Sequence, residues 1–165
     1  MSNRVNLICG SLTVDRFGKI DASALGYFSA TGPGRGNGGN SNDGTGAGHG
    51  GRGGSNTAFT ATIAGGTYGS SNAPTCPGSG GGSGYTADGY YGKGGGAVLI
   101  QADGEVTVNG SILANAQNGG SYWGGGAGGS ILILCGSFSG GTSGVISVTG
   151  GARGTGYPTT LGGGG

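Results

Sequence analysis

The stretch "GGGAGGSILILCGSFSGG", residues 124–141, runs from bare glycine straight into Ile131, Leu132, Ile133, Leu134 and Cys135, and returns to glycine at Gly136. A short apolar run bounded by glycine has the length and punctuation of a buried β-strand rather than a helix. The same junction recurs in "GKGGGAVLIQADGEVTV", residues 92–108. A junction repeated within one chain is the mark of a repeat architecture.

Three segments line up: "VNLICGSLTVDRFGKIDASALG" from Val5, "AVLIQADGEVTVNGSILANAQNGG" from Ala97, and "SILILCGSFSGGTSGVISVTGG" from Ser130. The alignment sets Cys9 with Cys135, Leu12 with Val106 and Phe138, and Ile20 with Ile112 and Ile146. It places Leu7, Leu99 and Ile133 at matching positions, with 34 residues from Leu99 to Ile133, a typical length for one solenoid repeat with an arm. Each segment ends in an alternation of period two, as in Ile20 and Ala22, Ile112 and Ala114, or Ile146 and Val148. That period marks a strand with one buried face. The unit reads as strand, Gly or Asp-Gly turn, strand, Gly turn, strand, then a glycine-rich arm.

Composition agrees that side chains alone do not hold this chain together. Of 165 residues, 49 are glycine and only 27 are Leu, Ile, Val or Phe, while the net charge is +1. Glycine loses the most backbone freedom on folding, so backbone hydrogen bonding in close-packed layers has to supply much of the order. In polyglycine II, strands with three residues per turn pack side by side, and a Cβ would hold their backbones apart, as at the axis of collagen. The fold expected is all-β: short stacked β-solenoid or parallel β-helix-like coils with polyglycine II-like arms. It forms one domain, residues 1–165, with coils about 5–24, 97–116 and 130–149 and arms 31–96, 117–129 and 150–165. Within the first arm "NTAFTATIAGG", residues 56–66, is a candidate degenerate coil.

The ends of the chain repeat the theme. "LGGGG" at residues 161–165 followed by "RVNLICGSL" of another molecule would recreate the glycine-to-strand junction. The count from Ile133 through Gly165 to the next Leu7 is 39 residues, close to the internal spacing. "RVNLIC" and "SILILC" carry no capping helix or charged segment, and open solenoid ends are unpaired strand edges. The expected assembly interface is therefore Val5, Leu7 and Cys9 against Ile131, Ile133 and Cys135. In such a stack Cys9 and Cys135 become neighbours, leaving open either a buried cysteine ladder or an interchain disulfide.

The order of "GHGGRGG" (48–54), "YGSS…P" (68–74), "GSGGG" (78–82), "GGGAVLI" (94–100), "VTVNGSILA" (106–114) and "GGGAGGSILI" (124–133) resembles a family of large, uncharacterised glycine-rich repeat proteins. The resemblance covers residues 45–155. It implies secreted or surface-exposed solenoid-like repeats and supplies no catalytic residues. This chain holds about one motif set where family members hold many, which suggests assembly from separate chains.

Other chemistry is thinly supported. There is no basic stripe for nucleic acid, no apolar run of membrane-spanning length, and no apolar signal-peptide core in "MSNRVNLICG". His49, in "GHGGRGG" with Arg52, lacks an evident orienting carboxylate and nucleophile and reads as a packing residue. Asp103 and Glu105 are spaced like a glycosidase pair, but the Asp-Gly between them reads as a solvated turn. "NSNDGTG" (40–46) has the look of a calcium loop without a closing Glu, and no phosphate-loop pattern is present. No cofactor or metal is expected. Asn109 opens an N-G-S glycosylation sequon. Tyr68, Tyr85, Tyr90, Tyr91, Tyr122, Trp123 and Tyr157 read as staples packing the arms, or alternatively as stacking faces for sugars. The expected function is a structural subunit polymerising head to tail into an extracellular or cell-surface filament. The alternative is a glycine-rich adhesin, carbohydrate-binding or ice-binding surface, and an enzyme ranks last.

Overall fold

The computed structural model describes residues 4–38, 44–55, 63–83, 91–154 and 164–165. Nine strands form among them: β1 (Arg4–Cys9), β2 (Leu12–Val14), β3 (Lys19–Asp21), β4 (Ala97–Ala102), β5 (Glu105–Val108), β6 (Ser111–Leu113), β7 (Ser130–Leu134), β8 (Ser137–Ser139) and β9 (Val145–Ser147). They make three sheets ordered β1-β4-β7, β2-β5-β8 and β3-β6-β9. Every pairing is parallel. The chain thus climbs three coils, each contributing one strand to every sheet. It is an all-β stack of the expected solenoid type.

Turn chemistry fixes the corners. Gly10, Gly104 and Gly136 stack at the first corner, where Gly104 N–H donates to Gly10 O at 2.7 Å and Gly136 N–H to Gly104 O at 2.9 Å. At the second corner coil 1 uses residues 15–18, closed by Gly18 N–H to Asp15 O at 2.7 Å, and coil 2 only the tight Asn109-Gly110. At the end of β3, Asp21 accepts from Nζ of Lys19 at 2.7 Å and from N–H of Ser23 at 2.9 Å. The lysine first, then Ser23, lowers its carboxyl to about 2.

The alignment of the second and third sheets is as expected: Leu12, Val106 and Phe138 share one ladder, and Ile20, Ile112 and Ile146 another. The first sheet differs by one residue. Leu7 pairs with Ile100 and not with Leu99, while Leu99 pairs with Leu132. A slip of one position in a strand exchanges its two faces. Accordingly Ile100 is fully buried in the core, whereas Leu99 lies on the outer side, half-buried.

The arms pack as the period of three requires. In segment 77–83, Gly78 and Gly81 accept from N–H of Tyr27 and Ala30 at 3.0 and 2.8 Å, and donate to Gly95 and Gly92 at 2.8 Å each. Ser79 and Gly82, one step on, accept from Ala127 and Gly124 at 2.9 and 3.0 Å. Gly80 has a further set of partners, donating to Thr31 and accepting from Gly36 at 3.0 Å each. A β-strand has hydrogen-bonding neighbours on two sides only. Partners that repeat at i and i+3 in three sets are those of a polyglycine II-type lattice. Arm bonding begins at Gly26, whose N–H donates to Gly94 O at 2.8 Å, earlier than the expected boundary at residue 31. Most of the candidate degenerate coil 56–66 lies outside the described residues. Its end, Gly65, bonds to Gly46 and Gly53 as part of the arm lattice.

Candidate assembly interface

Inward-facing residues of the three coils form one apolar column, and its burial is unequal. The largest fully buried apolar side chains, Ile100, Ile112, Val98 and Val106, all belong to the middle coil. Their counterparts in the outer coils are only partly covered. Val5, Leu7 and Cys9 stand on β1 at one end of the stack, and Ile131 and Ile133 on β7, with Cys135 just beyond it, at the other. The structure therefore separates the two halves of the expected interface by the thickness of the middle coil. They can meet only between molecules.

The other two sheets extend the same faces beyond the six residues expected from the first sheet and its flank. Leu12 and Ile20 are half-buried on coil 1, while Phe138, Ile146 and Val148 are about half exposed on coil 3. Among the described residues, edge strands β1 and β7 are paired on one side only. Cys9 and Cys135 are both free thiols at equivalent rung positions, and Cys9 Sγ lies 3.9 Å from Gln101 O.

A side-chain ladder runs between coils as well. Asn109, Asn115 and Asn118 each use Oδ1 to accept a backbone N–H of coil 3 or its arm, from Gly141, Thr149 and Ala152 at 2.8, 2.9 and 2.8 Å. Ser23 Oγ accepts N–H of Asn115 in the same sense at 3.3 Å. Asn109, the sequon residue, is thus occupied through Oδ1 in a turn stacked between two others. Asp103 sits in the β4–β5 turn and is exposed, and Glu105 Oε1 accepts from Ser139 Oγ at 2.6 Å. The calcium-like segment lies mainly outside the described residues, as do Tyr85, Tyr90 and Tyr157.

The described members of that tyrosine and tryptophan set lie in the arms and differ in cover, with Tyr91 exposed. Trp123 is 5% exposed and meets Tyr91 edge-on, with centroids 5.9 Å apart, while Tyr122 is half-buried. His49 is 6% exposed, and its Nδ1 lies 2.9 Å from Gly128 O, which as a carbonyl only accepts, so Nδ1 carries the proton. Its ring lies 4.6 Å from that of Tyr68. Tyr68 anchors a relay across three arm segments. Gly34 N–H donates to Ser79 Oγ at 3.0 Å, Ser79 Oγ to Tyr68 Oη at 2.9 Å, and Tyr68 Oη to Pro77 O at 2.5 Å.

Burial pushes the Tyr68 hydroxyl up from 10.0 to about 12, against the opposing hydrogen bond from Ser79. The folded chain then holds this proton where the unfolded chain has lost it. Its contribution to stability is complete below about pH 10 and is lost as pH rises through about 12. Tyr68→Phe is expected to lower stability at neutral pH by about 1–3 kcal/mol, by stranding Ser79 Oγ and Pro77 O. It should also flatten the alkaline loss, and urea denaturation across that pH range measures both effects.

No protein-family model matches the chain, and neither does any curated protein or solved structure. Among the described residues no helix is long and apolar enough to cross a membrane, and no cluster of His, Cys, Asp or Glu is arranged to hold a metal.

Proposed function

We propose that this chain is a structural subunit that polymerises head to tail into an extracellular or cell-surface filament. The observation that carries the reading is the burial gradient: in the four ladders that pass through Val98, Ile100, Val106 and Ile112, only the middle of three rungs is fully covered. Adding coil 1 of a second molecule to coil 3 of the first repeats the contact that β1 makes with β4 and β4 with β7. Leu7 would fall on Ile133, Leu12 on Phe138 and Ile20 on Ile146.

The geometry of pairing favours an open polymer over a closed dimer. A two-fold contact would join β7 to another β7 running the opposite way, whereas every pairing among the described strands is parallel. Continuing the parallel ladder needs a heterologous contact, which leaves a free face after each addition. The adhesin alternative relies on accessible aromatic faces, and the burial of Trp123 weighs against it. Extracellular placement is inferred from the resemblance to surface-exposed glycine-rich repeats.

With rungs ~4.8 Å apart, three rungs per molecule set the axial rise per subunit at about 14 Å. Electron micrographs of concentrated protein should show filaments with that rise and a rung reflection near ~4.8 Å. Protein that stays monomeric in light scattering across a wide concentration range would refute the reading.

A further inference from the structure

We propose that Phe17 of one molecule plugs a glycine-lined hollow at the opposite end of the next, an inference that rests on the filament reading and deepens it. The second-corner turns stack as the strands do. The coil 1 turn, residues 15–18, lies directly on Gly110, where an added Cβ would strike the carbonyl oxygens of Asp15 and Gly18. The coil 3 turn, residues 140–144, lies on the other side of the same middle turn, with Gly141 N–H on Asn109 Oδ1 at 2.8 Å and Ser143 Oγ on Asn109 O at 2.9 Å. Head-to-tail addition therefore sets residues 15–18 of the incoming molecule over residues 140–144.

On coil 3 that corner is hollow. A cavity of about 490 Å³ opens between Phe138, Gly140, Gly141, Gly144 and Ile146, with Val108 also in its wall. The ladder that reads Val14, Val108 in coils 1 and 2 continues to Gly140, the residue after Ser139, so the third coil has no side chain there. Its own backbone keeps it so. A Cβ on Gly140 or Gly144 would stand less than 3.0 Å from Val108 O.

On the coil 1 turn Phe17 is 93% exposed, the most exposed large apolar side chain described, with the Arg16 guanidinium 5.6 Å from its ring centroid. Val14, the other apolar residue at this corner, is already buried within its own molecule. A knob without cover and a hole without filling thus occupy the same corner at opposite ends of one stack. The occupant of the hollow is a second copy of this chain.

Pelleting assays over a concentration series test this. Phe17→Ala should raise the critical concentration on the order of 10- to 30-fold, from the apolar area of one phenyl ring. The thermal midpoint of dilute monomer should not change, since the ring touches little in the free chain. Ile146→Phe fills the hollow from its own side and should also hinder assembly, while Phe17→Ala combined with Ile146→Phe should recover most of the loss. An unchanged critical concentration for Phe17→Ala overturns the plug and leaves the filament standing. A rise with no recovery in the double variant overturns the hollow as the seat of Phe17. A wild-type chain that never pellets overturns both readings.

Discussion

Leu7→Lys and Ile133→Lys should each abolish filament growth while leaving a folded monomer. Both residues face the apolar column from an open end, where each is half-buried. In the free molecule a lysine there can lay its methylenes on the column and keep its ammonium in water. In the stack the same position is closed by the next rung, and the ammonium would be dry and unpaired. Such burial costs several kcal/mol, and at 1.4 kcal/mol per tenfold the critical concentration should rise by about a thousandfold or more. The two variants also report polarity. The Leu7→Lys molecule keeps a sound coil 3, and the Ile133→Lys molecule keeps a sound coil 1. An equimolar mixture should therefore form a heterodimer and stop, because both outward faces of that dimer are spoiled. Analytical ultracentrifugation distinguishes this from a two-fold contact, in which one of the variants would still pair with itself. Circular dichroism of each variant alone checks that its coils are intact.

How much of this was legible from residues alone follows from where side chains carry a pattern. In the second and third sheets, strands such as Glu105–Val108 alternate buried and partly exposed positions, and the period of two located each rung correctly. Strand β4 reads AVLIQA, apolar on both faces, and Ala97, on the side opposite the column, is buried as well. Alternation there does not distinguish inside from outside, so the alignment on Leu99 instead of Ile100 was the error to expect. The arms present the extreme case. Their composition announced close packing, but a segment without side chains holds no code for its neighbours. That Gly78 meets both Tyr27 and Gly95 is settled by the threefold screw and by where the coils deliver each arm. The hollow at Gly140 and the knob at Phe17 were hidden for another reason. The second-corner turns differ in length from coil to coil, so their residues have no counterparts to align.

The largest effects on folding are expected from single methyl groups in the arms. A Cβ on Gly94 would stand 1.8 Å from Gly78 O, and one on Gly80 would stand 1.9 Å from Phe28 O. Overpacking a core of side chains typically costs 1–3 kcal/mol, because side chains can move aside. Here the obstacles are backbone carbonyls in a lattice where Gly78 is bonded on two sides, so relief on one side breaks bonds on another. Gly94→Ala and Gly80→Ala should each cost more than about 4 kcal/mol, a large part of the stability of an ordinary domain. Among the described residues Gly66 has nothing within 4 Å of its would-be Cβ, and its φ is not positive, so Gly66→Ala should be neutral or raise stability by about 0.4–1 kcal/mol through the unfolded chain. Thermal denaturation of the three variants gives the comparison, and equal losses would contradict a hydrogen-bonded arm lattice. Gly10 separates folding from assembly. Its Cβ would also meet nothing within 4 Å among the described residues, yet its stacking counterpart Gly104 would meet Gly10 O at 2.9 Å and Gly136 would meet Asp103 O at 2.9 Å. Each corner glycine is thus confined by the coil beneath it, and Gly10 is free only because coil 1 has none beneath it in the monomer. Gly10→Ala should leave the monomer's thermal midpoint unchanged and still raise the critical concentration, because in a filament coil 3 of the preceding molecule lies where that methyl group would go.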